Sequence, residues 1–219
     1  MKKIITLCLA ICLVNSSYSQ STKPSSEKKA AVKESPAKPN PAKKVEEAPA
    51  PVNDDELNAK WMAYMTPGQE HDALASQVGD WTEEITIWTH PGAEPTTNIA
   101  KVKIEMILGG RYQQSFHIGE FMGMPFEGVG ITAFDNASKK YYSSWIDNMS
   151  TGLMFSSGTI DPKTKSIVFL GEQPDPITGK TTKMREVMTI NGENEMLMEM
   201  YSTPTGAKEF LSMKILMKR

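Results

Sequence analysis

Cysteine is almost missing from this 219-residue chain: Cys8 and Cys12 are its only two. Both lie in an N-terminal stretch that has the marks of an export signal. Lys2 and Lys3 open it, an apolar run from Ile4 to Val14 follows, and Ser17-Tyr18-Ser19 sets small residues ahead of a cleavage expected before Gln20. The run is too short to cross a bilayer, which takes about 20 apolar residues. A retained membrane anchor and acylation at Cys12 are the alternatives, the second opposed by the bulky Ile11 where acylation favours a small residue. Once residues 1–19 are removed the mature chain has no thiol. That excludes disulfides, cysteine–metal sites and cysteine nucleophiles, although the expected compartment, periplasm or extracellular space, would permit disulfides.

Histidine is scarce too. His71, His90 and His117 show neither His-x-His nor His-x-x-x-His spacing, so no metal site is expected. There is no Gly-x-Ser-x-Gly nucleophile elbow and no glycine-rich phosphate loop. Glu83 and Glu84 would point to opposite faces of a strand and so do not form an acid–base pair. These absences weigh against catalysis without excluding it, and no cofactor is expected.

Residues 20–52 lack aromatic residues and are built from Lys, Ala, Pro, Ser and Glu. Such a segment buries too little apolar surface to offset the entropy of ordering, and reads as a disordered linker stiffened at Pro36-Ala37-Lys38-Pro39. It holds seven Lys and four Glu, whereas residues 53–219 carry a net charge of −7. An acidic domain on a basic tether is a poor partner for nucleic acid.

The folded domain is expected over residues 53–219. Asn53, Asp54 and Asp55 suit a helix start, with Leu57, Trp61, Tyr64 and Met65 on one face. Thr66-Pro67-Gly68-Gln69 reads as a second start, with Thr66 as cap and Leu74 and Val78 inward. His71, between Glu70 and Asp72, reads as exposed. Ten strands follow, at 81–90, 99–108, 111–119, 126–134, 140–148, 152–160, 166–171, 180–190, 195–202 and 209–218, divided by turn signals such as Asp161-Pro162, Asn191-Gly192 and Pro204-Thr205-Gly206. The second alternates cleanly, with Ala100, Val102, Ile104, Met106 and Leu108 on one face and Lys101, Lys103 and Glu105 on the other. Ten short strands with hairpin-length connections predict an all-β, up-and-down antiparallel barrel preceded by one or two short helices, with a sandwich as the alternative.

Gly79-Asp80-Trp81 at the start of the first strand resembles the calycin barrels. Longer stretches resemble a secreted bacterial family, the domain of unknown function 1579 family. They are Leu108-Gly109-Gly110-Arg111-Tyr112, Met122-Gly123-Met124-Pro125-Phe126-Glu127-Gly128, Trp145-Ile146-Asp147-Asn148-Met149-Ser150-Thr151-Gly152, Asp175-Pro176-Ile177-Thr178-Gly179-Lys180, Arg185-Glu186-Val187 and Met198-Glu199-Met200-Tyr201. The resemblance implies a calycin-like barrel and no catalytic residues. In lipocalins the tryptophan of the Gly-x-Trp is stacked by a cation near the last strand, a role for which Lys214, Lys218 and Arg219 are candidates.

Fourteen of the fifteen methionines lie beyond residue 19, several sharing strand faces: Met184 with Met188, Met196 with Met198 and Met200, Met213 with Met217. Methionine fills irregular cores and lines adaptable apolar pockets. The polar residues among them are the candidate ligand contacts. Arg185 and Arg111 would anchor a ligand carboxylate; Tyr112, Phe116, Trp145 and Met154 would form the apolar wall; Gln114, His117, Asp147 and Glu199 would add polar contacts. Arg185 could instead pair with Glu186 or Glu199. The function expected is binding of a small hydrophobic or amphipathic ligand in the lumen, without catalysis. An envelope interaction module with a filled core is the alternative, and an enzyme using a pocket acid or His117 the third.

Overall fold

A computed structural model describes residues 53–219. The export signal expected at 1–19, with both cysteines, and the linker expected at 20–52 lie outside the described residues. Two helices come first, α1 (Asp54–Met65) and α2 (Gln69–Ala75). Ten strands follow: β1 (Gly79–Ile87), β2 (Thr96–Ile107), β3 (Tyr112–Phe121), β4 (Met124–Asp135), β5 (Lys140–Asp147), β6 (Met154–Ile160), β7 (Ile167–Pro174), β8 (Thr181–Ile190), β9 (Glu195–Pro204) and β10 (Phe210–Lys218). Each pairs antiparallel with its sequence neighbour, and β1 pairs with β10, from Thr82 opposite Lys218 to Ile87 opposite Met213. The result is a closed up-and-down barrel without sheet edges. No helix among the described residues is long and apolar enough to cross a membrane.

Cross-strand partners share a face, so the register decides which residues point inward. On β2 the alternation sends Ala100, Val102 and Ile104 inward, and all three are buried. They face Gly119, His117 and Ser115 on β3. The polar row of β3, with Gln113, therefore lines the lumen, while Tyr112, Phe116 and Ile118 face outward and are exposed.

One end of the barrel is filled. Leu74, Phe134, Tyr141, Ile167 and Phe169 form one buried cluster, and Trp81, Val102, Ile104, Met196 and Met217 another. Nearly all these residues lie where the odd-numbered strands begin and the even-numbered ones end, beneath α2, which packs on β2, β3 and β4. Gln113 Nε2 donates to the Leu74 carbonyl at 2.8 Å, and Trp81 Nε1 donates to the Gln77 carbonyl at 2.9 Å, so the α2 end is bonded to two strands. Arg219 lies over the Trp81 ring at 4.4 Å and donates to the carbonyls of Ser76, Val78 and Glu193, taking the stacking role for which three cations were candidates.

Three local expectations need correction. Helix α2 starts from Gly68 rather than from a Thr66 cap: Thr66 Oγ1 donates instead to the Met62 carbonyl, which closes α1. His71 is buried, not exposed. Its Nδ1 accepts the Gly68 N–H at 3.0 Å, which turns the ring edge-on to Phe134. Val78 lies past the end of α2 and is exposed, leaving Leu74 as the inward anchor. Helix α1 buries none of its residues. Its C-terminal carbonyls are held by Asn136 Nδ2, which donates to Ala63, Tyr64 and Thr66, and by Arg111, which donates to Met65.

Candidate functional site

Above this packing the lumen is hollow, with a lining that runs from Gln77, Ile104 and Gln113 beside α2 to Glu120, Phe121 and Met149 at the opposite end. It encloses a cavity of about 410 Å³, within the range of small-molecule sites. The register supplies its lining. Inward positions of β8, β9 and β10 bring Met184, Met188, Met196, Met198, Met200, Met213 and Met217, and Met149 and Met154 complete a set of nine of the fifteen methionines. Ile85, Phe121, Phe126, Trp145 and Phe169 add aliphatic and aromatic wall. Unbranched thioether side chains repack at low cost, so this wall can adapt to more than one ligand shape.

Trp145 is the most closely fixed of these. Its indole lies against β4 at Gly128 and Gly130, where a Cβ on Gly128 would meet the ring at 2.4 Å. Phe126 stacks on it and His117 meets it edge-on at 4.8 Å between ring centres. Its Nε1 donates to Asp147 Oδ2 at 2.8 Å, and Asp147 Oδ1 accepts the Met149 N–H. Asn148 then ties the β5–β6 connection to β4, accepting from the Glu127 N–H and donating to the Pro125 carbonyl. The Trp-Ile-Asp-Asn-Met run thus both turns the chain and orients one wall of the cavity.

The polar groups of the lumen are unusual for an apolar cavity. Glu83 on β1 is 1% exposed, and its Oε2 is 2.9 Å from His117 Nδ1, reaching across β2 above the small Ala100. Glu186 on β8 is 7% exposed, with Phe169 opposite on β7 and Met200 opposite on β9. Burial away from water pushes its carboxyl up from 4.5 to about 7. One oxygen of each acid, Glu83 Oε1 and Glu186 Oε1, has no hydrogen-bond partner among the described residues, and neither has the Ser156 hydroxyl.

The expected contact residues divide into two groups. His117, Trp145, Asp147 and Met154 border the cavity. Arg185, Arg111, Tyr112, Gln114, Phe116 and Glu199 do not. Arg185 alternates with the inward Met184 and Glu186 and so faces outward. It makes a two-pronged ion pair with Glu209, at 3.0 and 2.7 Å, and lies 3.9 Å over the Tyr201 ring. Its partner is therefore neither Glu186 nor Glu199. The bond to Glu209 raises the arginine's pKa and holds the Glu209 carboxyl below its usual range. Arg111 occupies the β2–β3 turn, donating to the carbonyls of Leu108, Gly109 and Met65. Glu199 sits opposite Lys214 and Val187 on the outward face, across the wall from Glu186. Tyr112, Gln114 and Phe116 share the outward row of β3.

Glu83 and Glu186 are the lumen acids that the candidate set left out. A signal for Glu186 was present, since it stands midway between Met184 and Met188 at the strand period, a charge in an apolar row. Among the described residues no group of three or more His, Asp or Glu side chains gathers as a metal site.

No curated protein matches the chain. A family model described as a protein of unknown function (DUF1579) matches residues 66–219, which take in all ten strands and α2. The chain belongs to that family.

Proposed function

We propose that this protein is an exported binding barrel that holds a small, largely apolar ligand in its lumen and catalyses no reaction on it. The observation that carries the reading is the cavity of about 410 Å³ in the barrel lumen, lined by nine methionines and four large aromatic side chains. A barrel serving only as a scaffold gains from filling that space, because a void forfeits dispersion contacts. Export rests on the basic and apolar character of residues 1–19.

An interaction module with a filled core has one feature in its favour. Phe116, Ile118, Ile146, Phe155 and Leu170 are exposed on the outer wall. The cavity in the lumen counts against a filled core.

The test is native mass spectrometry of the protein purified from its own compartment, followed by extraction and identification of any bound molecule. A stoichiometric ligand is expected. It should be lost in the cavity-filling variant Met198→Trp while the β-sheet circular dichroism is kept. A clean apo mass, unchanged after incubation with fatty alcohols and isoprenoids, would overturn the reading.

A further inference from the structure

The charge inside the cavity is one-sided. Glu83 and Glu186 stand in its wall, Asp147 and Glu120 border it toward the open end, and among the described residues no Lys or Arg does. The two arginines best placed by sequence to reach a ligand acid are engaged outside the lumen, Arg185 with Glu209 and Arg111 with turn carbonyls. Glu83 Oε1 and Glu186 Oε1 each lack a donor. Glu186 lies among Met184, Met188, Met200 and Phe169, where another methionine would pack without the cost of burying a polar group. Buried polar groups in native proteins almost always have partners, and here the described chain provides none for these oxygens.

A ligand carboxylate or phosphate would bring like charge against these acids, and the one imidazole in the wall, His117, is already engaged by Glu83. A donor or cationic head does the reverse: it supplies the missing hydrogen bonds, and the charge assistance strengthens them. Trp145, Phe126 and Phe169 border the same space, and aromatic faces attract cations too. We infer that the cavity takes an apolar amine, its nitrogen donating to Glu186 Oε1, Glu83 serving as the second acceptor and its hydrocarbon lying among the methionines. This rests on the reading of the cavity as a ligand site and assigns the ligand's head group.

The test is calorimetric titration of the full chain with decylamine, decanol and decanoate, the two ionic probes below their micelle concentrations and decanol below its solubility limit, at a pH of about 8. Decylamine is expected to bind about tenfold or more tighter than decanol, because both would donate to an ionised Glu186 but only the ammonium also brings opposite charge, with decanoate weakest. Glu186→Gln should remove most of that preference, with decylamine losing far more affinity than decanol. Glu186→Met, matched to the neighbouring methionines, provides the same comparison if the amide variant folds poorly. Decanoate binding as tightly as decylamine would overturn the inference and leave the apolar-ligand reading standing. So would a preference for the amine that survives both variants. Failure of all three probes to bind would remove both.

Discussion

Replacing Glu186 by Gln should flatten the pH dependence of the barrel's stability between about pH 5 and pH 8. The folded apo protein holds this carboxyl at about 7 against an ordinary value of 4.5, with burial as the sole cause. Below the lower value both folded and unfolded chains carry the proton, and the residue imposes no pH dependence. Between the two values the folded chain keeps the proton that the unfolded chain has lost, so stability falls as pH rises. Above about 7 the folded chain carries a buried, uncompensated charge and the penalty is complete. At about 1.4 kcal/mol for each pH unit between the two values, the loss is about 3 kcal/mol across the window. That is a large fraction of the stability of a domain this size. The assay is urea denaturation followed by circular dichroism at intervals from about pH 4 to pH 8.5, on both proteins freed of ligand. All other titrating groups are common to the two, so the difference between their curves isolates Glu186. It should favour the variant increasingly as pH rises and level off above neutrality. A gap that stays constant with pH would refute the reasoning and mean that the carboxylate is hydrated or paired in the folded state.

Removing the imidazole with His117→Ala would leave Glu83 buried with neither oxygen paired, at a cost of about 3–5 kcal/mol; the double variant Glu83→Leu, His117→Leu should recover much of it in the same denaturation assay. Gly128→Ala places a methyl group against the Trp145 ring and should cost about 1–3 kcal/mol while changing the near-ultraviolet circular dichroism of the indole; an unchanged spectrum would show that the ring is not seated there. Arg185→Ala removes a partly exposed ion pair and should cost about 1 kcal/mol or less, with ligand binding by calorimetry left intact because the side chain lies outside the lumen. Arg219→Ala should cost on the order of 1 kcal/mol and, by uncovering the ring face and freeing the Ser76 and Val78 carbonyls, increase hydrogen exchange at the Trp81 indole N–H.

The barrel was legible from the strand-length segments and the turn residues between them, and β2 shows why. Its lysines and glutamate alternate with aliphatic residues, so a single register satisfies both faces. Strand β3 carries the opposite signal. Tyr112, Phe116 and Ile118 look like the core row and Gln113, Ser115 and His117 like the solvent row, yet the pairing with Val102 and Ile104 turns the polar row inward. Hydrophobicity predicts burial where a strand packs against a filled core; beside a cavity the interior tolerates polar groups. The same reversal drew attention to Arg185 instead of Glu186. An arginine in a methionine-bearing strand resembles a ligand anchor, but the alternation that places Met184 and Met188 inside requires residue 185 to point out. The bond from Asn136 to α1 and the bond from Arg219 to Glu193 join residues far apart in the chain, and local patterns carry no trace of them.

The seam between β1 and β10 constrains how the barrel comes into being. The first strand made must wait for the last. A chain with nine strands assembled is still a curved open ribbon with two bare edges, each able to recruit a strand from another molecule. Closing that ribbon joins segments at opposite ends of the domain, a slow step compared with forming any one hairpin. During that interval the barrel's interior, including the methionine wall and both acids, is in contact with water and with whatever shares the compartment. A ligand present then could be enclosed as the seam forms and need never pass through the finished mouth.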